Sequence, residues 1–329
     1  MNIFNPYFDV IKKAIDSDPK SQQRMYGSQI DESQFDMSYV KNLSNQYPGV
    51  QQVNDTILLK KGFSSQDITP IPQLGNHPDF QHLRGTDNSE DHWIISGFID
   101  LKESTKLFNR FTKATVSLIT EGIVKASIFA VNYCGGYVQR IQGDGLMVYF
   151  GGKNIEKKTA TEDALKAFAM ISYFVKNDLR VYFEENNISE IYTRGGLDLG
   201  HSNQVRWIYS GIGNAGEITT CSLHTSLAPK MQAKASSNGI VVGQNIVNQL
   251  QQNNYFTSKK NPIWDYEDGR VYNHFDFNWE KYLVQTGVAV QDRFGAIILS
   301  LNFSRDQKQD FESLKPIAAQ NKPYLSSNE

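Results

Sequence analysis

The chain has 329 residues, with 33 Lys and Arg against 35 Asp and Glu and a formal net charge of −2. That near-balance argues against a protein that tracks nucleic-acid phosphates, which would carry a basic excess. Two cysteines, Cys134 and Cys221, with no Cys/His cluster argue against a disulfide scaffold or a zinc module and fit a reducing compartment.

Residues 1 to about 90 are polar and rich in Gln, Asn, Asp and Ser. One amphipathic helix is predicted over Pro6 to Ile15, a second over Ser33 to Leu43, and a short strand over Thr56 to Leu59. Ile68-Thr-Pro-Ile-Pro72 and Asn76-His-Pro78 read as an irregular linker, because closely spaced prolines exclude helix. This region reads as an extension outside the chemistry. The N-terminus is polar where a secretory signal needs an apolar core. The longest apolar runs, such as Ala126–Val131, fall far short of the roughly 18–20 residues of a membrane helix. The expectation is a cytoplasmic protein that binds neither membrane nor nucleic acid.

The chemistry is concentrated between Trp93 and Phe150. An apolar strand (Trp93, Ile94, Ile95, Phe98, Ile99) ends in Asp100 and turns at once into a helix, for which Ser104 and Thr105 are candidate caps. That helix is predicted to run from about Thr105 to Tyr133 and to stop at Gly135-Gly136. Tyr137 to Phe150 reads as two strands joined by Gly143-Asp144-Gly145, a tight turn with a carboxylate at its tip. Should the strands be neighbours, Asp100 and Asp144 arrive at one sheet edge. With the backbone N–H groups of Leu101 to Thr105, they would make a site for a hard divalent cation and a polyphosphate.

A second helix is predicted over Thr161 to Glu185, then strands at Tyr192–Gly200 and Val205–Tyr209 and a polar, Gly- and Thr-rich stretch from Gly211 to Cys221. A helix at Leu223–Ala235, a strand at Gly239–Gly243, a short helix at Asn245–Leu250, and strands at Val271–Phe277 and Ala296–Phe303 complete the chain. The order strand–helix–strand–strand–helix–strand indicates an α+β fold of split βαβ type, with a mostly antiparallel sheet and helices on one face. His77, His82, His92, His201, His224 and His274 show no ligand spacing and read as surface or incidental residues.

Five motifs in register carry a family resemblance. Phe98-Ile-Asp-Leu-Lys-Glu-Ser-Thr105, Gly143-Asp144, Arg194-x-Gly196-x-x-x-Gly200, Leu227-Ala-Pro-Lys-Met231 and Ser237-Asn-Gly-Ile-Val-Val242 together resemble the class III nucleotide cyclase catalytic domain. The two aspartates lie 44 positions apart, as in that family. The resemblance implies a ferredoxin-like domain over residues 91–255, preceded by a polar extension at 1–90 and followed by strands and an aromatic tail at 256–329 that pack on it. It implies a head-to-tail homodimer with active sites at the interface. Two divalent ions, Mn²⁺ or Mg²⁺, would be held by Asp100, Asp144 and the Ile99 carbonyl. Phe98, Leu101, Ser104, Thr105, Arg140, Ser210 and Ser226 would contact the nucleoside triphosphate, and Lys230 would assist catalysis.

This sequence also departs from the family pattern. Four residues before the second aspartate, adenylate cyclases carry Lys and guanylate cyclases Glu; here stands Arg140. Ser210 falls where adenylate cyclases have Asp, and Ser226 and Lys230 fall where an Asn/Arg pair four apart is usual. About nine extra residues separate Gly213 from the helix that bears them. The base pocket thus matches neither purine version. The layout resembles the bacterial Pycsar pyrimidine cyclases, which implies a cyclic UMP or cyclic CMP signal in antiphage defence, read by an effector with a cyclic-nucleotide-binding domain. UTP is chosen as substrate over CTP. An atypical adenylate cyclase and a catalytically silent nucleotide-binding domain are the alternatives.

Overall fold

The computed structural model describes residues 3–18, 20, 73–188, 191–250 and 254–300. The helix expected at Ser33–Leu43, the strand at Thr56–Leu59 and the linker residues up to Pro72 lie outside the described residues. The chain forms two compact units, Met1–Tyr282 and Leu283–Glu329. In the second, the described residues include a hairpin of two short strands, Ala289–Gln291 and Ile297–Leu299.

The first unit opens with helix α1 (Asn5–Asp16) and a 3-10 turn at Pro78–Leu83. Strands β1 (Ser89–Asp91) and β2 (Ile94–Lys102) follow, then α2 (Lys113–Tyr133), β3 (Tyr137–Gln142) and β4 (Gly145–Phe150). Next come α3 (Lys157–Tyr173), a π-helical turn at Phe174–Leu179, α4 (Arg180–Glu185), β5 (Tyr192–Gly200), β6 (Arg206–Ile212) and β7 (Ala215–Cys221). Then follow α5 (Leu223–Ala233), β8 (Gly239–Gly243), α6 (Gln244–Val247), β9 (Phe256–Ser258), β10 (Trp264–Asp265), β11 (Val271–Tyr272) and β12 (His274–Phe277); helix α7 (Trp279–Gln285) spans the boundary at Tyr282.

The main sheet has seven strands in the order β3-β4-β2-β5-β8-β12-β9, antiparallel at every pairing except β5–β8. This is the expected α+β class with a mostly antiparallel sheet. The helices, however, cover both faces of it. Successive strand residues point to opposite faces. A Cβ at Gly195 would lie 2.8 Å from the Phe168 ring of α3, whereas one at Gly196 would lie 2.1 Å from the Ala228 carbonyl oxygen of α5. The paired glycines let a helix approach closely on each side, which corrects the one-face expectation.

Around α2 the packing is dense, with Ile119, Ile123, Phe129, Ala130 and Val131 all buried. By length and composition α2 could cross a membrane, yet 67% of its apolar window is buried inside the fold. Part of that cover is α1. Gly122 leaves room for Ile11, whose Cγ1 would sit 2.7 Å from an added Cβ, and Phe4 stacks on Phe174 at 4.7 Å.

The segment after residue 73, expected to continue a linker at Asn76–Pro78, is pinned to the sheet. Phe80 stacks on fully buried Trp207 at 4.0 Å and joins a cluster with Leu83, Ile94, Tyr149, Val205 and Ile218. The Asp79 carboxylate accepts from the Lys153 backbone N–H at 2.7 Å, and His77 Nε2 bonds the Gly151 carbonyl at 3.2 Å.

Two local expectations are corrected. First, β2 runs past Asp100 to Lys102, and Glu103 turns at φ 68°. A six-residue 3-10 turn, Ser104–Asn109, follows, and α2 begins only at Lys113 with the Thr112 hydroxyl accepting from Thr115 N–H. Second, the polar Gly211–Cys221 stretch, to which the sequence assigns no element, contains a strand. Ala215–Cys221 is strand β7, paired with β6, which in turn pairs with β1 in a second, three-stranded sheet.

Candidate active site

Asp100 stands near the end of β2, opposite Arg194 of β5. It is partly buried, and its Oδ2 accepts from Arg194 Nη2 at 3.1 Å and from Gln232 Nε2 of α5 at 3.2 Å. Asp144 occupies the β3–β4 turn, which Gly143 opens with φ 63°. Beside it, a Cβ added at Gly145 would lie 3.1 Å from the Ile99 carbonyl oxygen and 3.4 Å from Asp100 Oδ1. The hairpin tip therefore closes onto the end of β2 only because residue 145 has no side chain.

The Asp100 carboxyl is pushed above its ordinary range by burial and by the neighbouring charge of Asp144, while Arg194 opposes that rise. The result is two mutually repelling carboxylates and a backbone carbonyl, with Asp100 Oδ1 free of the Arg194 and Gln232 bonds. Such hard oxygens suit Mg²⁺ or Mn²⁺, which bind through one or two carboxylates and complete their shell with water and phosphate. Among the described residues no group of three or more His, Cys, Asp or Glu is gathered, so two carboxylates are the acidic complement here.

The other sequence candidates separate into groups. Phe98 lies on the same face of β2 as Asp100 and is partly buried; Leu101 is buried in the core. Leu101 and Lys102 remain strand residues, opposite Thr193 and Tyr192, and Ser104 and Thr105 start the 3-10 turn without a side-chain cap. In place of the first turn of a long helix, a strand that outlasts Asp100 by two residues leads into a short 3-10 turn.

Ser226 and Lys230 lie one turn apart on the exposed side of α5. The Ser226 hydroxyl donates to the Ser222 carbonyl at 3.1 Å, and the Lys230 ammonium sits 5.1 Å from the Trp264 ring centroid. It is Gln232, not this pair, through which α5 reaches Asp100 of its own chain.

Arg140 and Ser210, by contrast, share one cleft. A cavity of about 490 Å³ is lined by both, with Leu74, Gly75, Gly216 and Glu217 among its other walls. The register of β3 shifts between Val138 and Arg140, a bulge that inserts Gln139. Gln139 is buried and donates to the Ile218 carbonyl of β7 at 2.8 Å. Arg140 is thereby aimed at Glu217, with which it makes a two-pronged ion pair: Nη2 to Oε1, and Nε to Oε2 at 3.3 Å. Ser210 stands directly across the β6–β7 hairpin from Glu217.

Sequence reading missed Gln232 and Gln139 as site residues, and weighed Glu217 only as a poorer fit than Ser226 to the transition-state pair. Glu217 had a detectable signal: a lone carboxylate in front of the β-branched run Ile218-Thr219-Thr220, a strand pattern. The histidine expectation also fails for three residues, because His77, His224 and His274 are buried. His224 opens α5 and bonds the fully buried Asp198 at 2.8 Å, and Asp198 also accepts from the Tyr272 hydroxyl at 2.7 Å. Burial drives the Asp198 carboxyl up, and these hydrogen bonds work against it. They tie the helix bearing Ser226, Lys230 and Gln232 to β5.

No protein-family model matches the chain. It is 34% identical over 254 residues to a cytidylate cyclase of Staphylococcus aureus, an alignment covering 74% of this chain and 58% of that protein. It is also 32% identical over 211 residues to a cytidylate cyclase of Escherichia coli, covering 61% of this chain and 45% of that protein. The chain thus spans about half the length of the curated relatives it matches. Among solved structures, the adenylyl cyclase CyaB from P. aeruginosa superposes with a TM-score of 0.50 at 15% identity, over 58% of this chain and 95% of that one. The chain thus has the fold of the class III nucleotide cyclases and is similar in sequence to cytidylate cyclases.

Proposed function

We propose that this protein converts a pyrimidine nucleoside triphosphate to its 3′,5′-cyclic mononucleotide and pyrophosphate. The observation that carries the reading is the convergence of Asp100, Asp144 and the Ile99 carbonyl at one sheet edge. CTP is now the favoured substrate. The names of the relatives outweigh the choice of UTP made on sequence alone.

When bound, two divalent cations, Mg²⁺ or Mn²⁺, would acidify the ribose 3′-hydroxyl and neutralise the departing pyrophosphate. Asp100 and Asp144 are the residues that would hold them. Arg194 and Gln232 restrain Oδ2 of Asp100, which leaves Oδ1 to face the hairpin. The bond that forms joins the 3′ oxygen to the α-phosphorus. The bond that breaks links that phosphorus to the bridging oxygen of the β-phosphate, and the hydroxyl proton leaves to solvent.

Arg140 and Ser210 would read the base, and Lys230 would act as a point charge on a phosphate oxygen beside Ser226. Because Ser226 and Lys230 make their contacts with Ser222 and Trp264 and not with the aspartates of their own chain, the reading requires a second copy of the chain to bring them to the site. A cytoplasmic signal in antiphage defence, sensed by an effector with a cyclic-nucleotide-binding domain, completes the proposal.

The test is incubation of the purified protein with ATP, GTP, CTP and UTP separately, each with Mn²⁺, and identification of products by mass. Cyclic CMP from CTP supports the reading; cyclic AMP as the main product would leave an ordinary purine cyclase. Asp100→Ala and Asp144→Ala should each abolish product while the protein still melts cooperatively. Full activity in either variant would remove the metal role assigned to the pair.

A further inference from the structure

Glu217 belongs to a strand that the sequence pattern treats as an insertion, and its role rests on how it holds Arg140. The Nε and Nη2 positions of Arg140 are both engaged by the Glu217 carboxylate. Nη1, and the second proton of Nη2, have no protein partner among the described residues. They form the other fork of the guanidinium, two parallel N–H donors beside a cavity that Ser210 and Glu217 also line. Oε1 of Glu217 sits next to Nη2 and keeps lone-pair capacity after accepting from it. Along this edge the protein offers a donor on Nη2 beside an acceptor on Oε1.

We propose that Glu217, through this array, selects cytosine over uracil; the inference rests on the pyrimidine cyclase reading given above. The Watson–Crick edge of cytosine runs O2 acceptor, N3 acceptor, exocyclic amine donor. The Glu217–Arg140 pair meets two of these groups: N3 takes the remaining N–H of Nη2, and the amine donates to the carboxylate. Uracil presents acceptor, donor, acceptor. Its N3–H would oppose an N–H, and its O4 would oppose a carboxylate oxygen. Polar sites built for one hydrogen-bond pattern reject the wrong one strongly, because unmatched groups stay desolvated and unpaired.

Three features give the array its rigidity. The bulge at Gln139 aims Arg140, Gln139 anchors to β7 itself, and Gly75 seats the preceding segment against Glu217. A Cβ at Gly75 would lie 2.8 Å from Glu217 Cβ, and the Gly75 carbonyl accepts from Ile218 N–H at 2.9 Å.

The experiment measures equilibrium binding of CTP and UTP to the full chain by calorimetry, alongside product formation from each. Wild type should bind CTP about ten-fold or more tighter than UTP. In Glu217→Gln the ratio should fall to near unity, since the amide can turn a donor toward uracil O4. A second probe needs no variant: CTP carrying two methyl groups on its exocyclic amine should bind wild type no better than UTP. Binding without base preference, an unchanged ratio in Glu217→Gln, or full affinity for the methylated analogue would overturn the role of Glu217 and leave the cyclase reading standing. Failure to bind or cyclise any triphosphate would overturn both.

Discussion

Gly196 is where the fold and the site are most tightly coupled, and Gly196→Ala tests that coupling. An added Cβ would meet the Ala228 carbonyl oxygen at 2.1 Å, the Gln232 backbone nitrogen at 2.4 Å and the Gln232 Cα at 3.0 Å. All three are backbone atoms of α5, so no rotamer change relieves the clash. Ordinary contact begins at 3.4 Å, so α5 must retreat by roughly 1.3 Å, the gap between 2.1 and 3.4 Å. Overpacking of this kind costs about 1–3 kcal/mol, and backbone neighbours argue for the upper end. At roughly 2–4 °C per kcal/mol, the melting temperature should fall by about 5–10 °C. Activity should fall further than stability. The same displacement carries the Gln232 amide away from Asp100, now 3.2 Å distant, and moves Ser226 and Lys230 with the helix. Misplacement of about 1 Å costs on the order of 10²-fold in rate. The assay pairs a thermal melt with Mn²⁺-dependent cyclic nucleotide formation. Gly135→Ala is the control: it has φ 73° but nothing within 4 Å of the added atom, so it should carry backbone strain alone. A Gly196→Ala protein that melts and turns over like wild type would refute the packing argument.

The remaining predictions concern pH. His77 is buried, with its pKa lowered to about 4 by burial, and its Nδ1 accepts from Asp79 N–H at 3.3 Å, so a proton there would oppose an existing donor. The unfolded chain binds this proton below its ordinary 6.5 and the folded one does not. Stability is therefore complete above that value and declines as pH falls toward 4, and His77→Gln should flatten melting temperature against pH across the interval. Asp163 moves the other way: burial raises it from 3.8 to about 6, so its ionisation works against the fold. Stability linked to it is full below 3.8 and lost as pH rises to about 6; Asp163→Asn should melt higher than wild type at pH 8 and no differently near pH 3, and equal melting at both would refute the assignment.

How much of this was legible in the sequence depends on whether a signal was local. Asp100 and Asp144 were readable because each ends or joins an apolar strand, where a carboxylate has no packing reason to be. The sheet was readable from apolar runs and from the Gly-Asp-Gly turn that precedes β4. The continuation of β2 past Asp100 was not. Leu101 is apolar and Lys102 neutral as to structure, so nothing local says that the strand continues to pair with Thr193 and Tyr192. The two-faced helix cover was hidden as well, because Gly195-Gly196 reads as flexibility until Phe168 and Ala228 are brought to opposite sides of it. The buried histidines were misread for the same reason. His224 has its partner, Asp198, 26 positions away in β5, beyond any local pattern.

The extra residues between Gly213 and α5 looked in sequence like damage to a family pattern, and the structure argues for a different meaning. They form β7, and β7 joins the base cleft to the aspartate edge. On one side Glu217 holds Arg140, and the Ile218 carbonyl takes the Gln139 amide of β3. On the other, the Thr220 hydroxyl lies 3.1 Å from the Tyr149 hydroxyl of β4 and 2.8 Å from Thr225 of α5, whose own hydroxyl is 2.8 Å from Ser96 of β2. Tyr149, Thr225 and Ser96 are buried, and a buried hydroxyl without a partner costs about 1–3 kcal/mol, so each holds its neighbour in one arrangement. A strand tied in this way to β2, β3, β4 and α5 cannot shift without disturbing the two elements that carry Asp100 and Asp144. An insertion that merely interrupted the family's chain would have no reason to be woven into it through Arg140, Gln139, Tyr149 and Thr225.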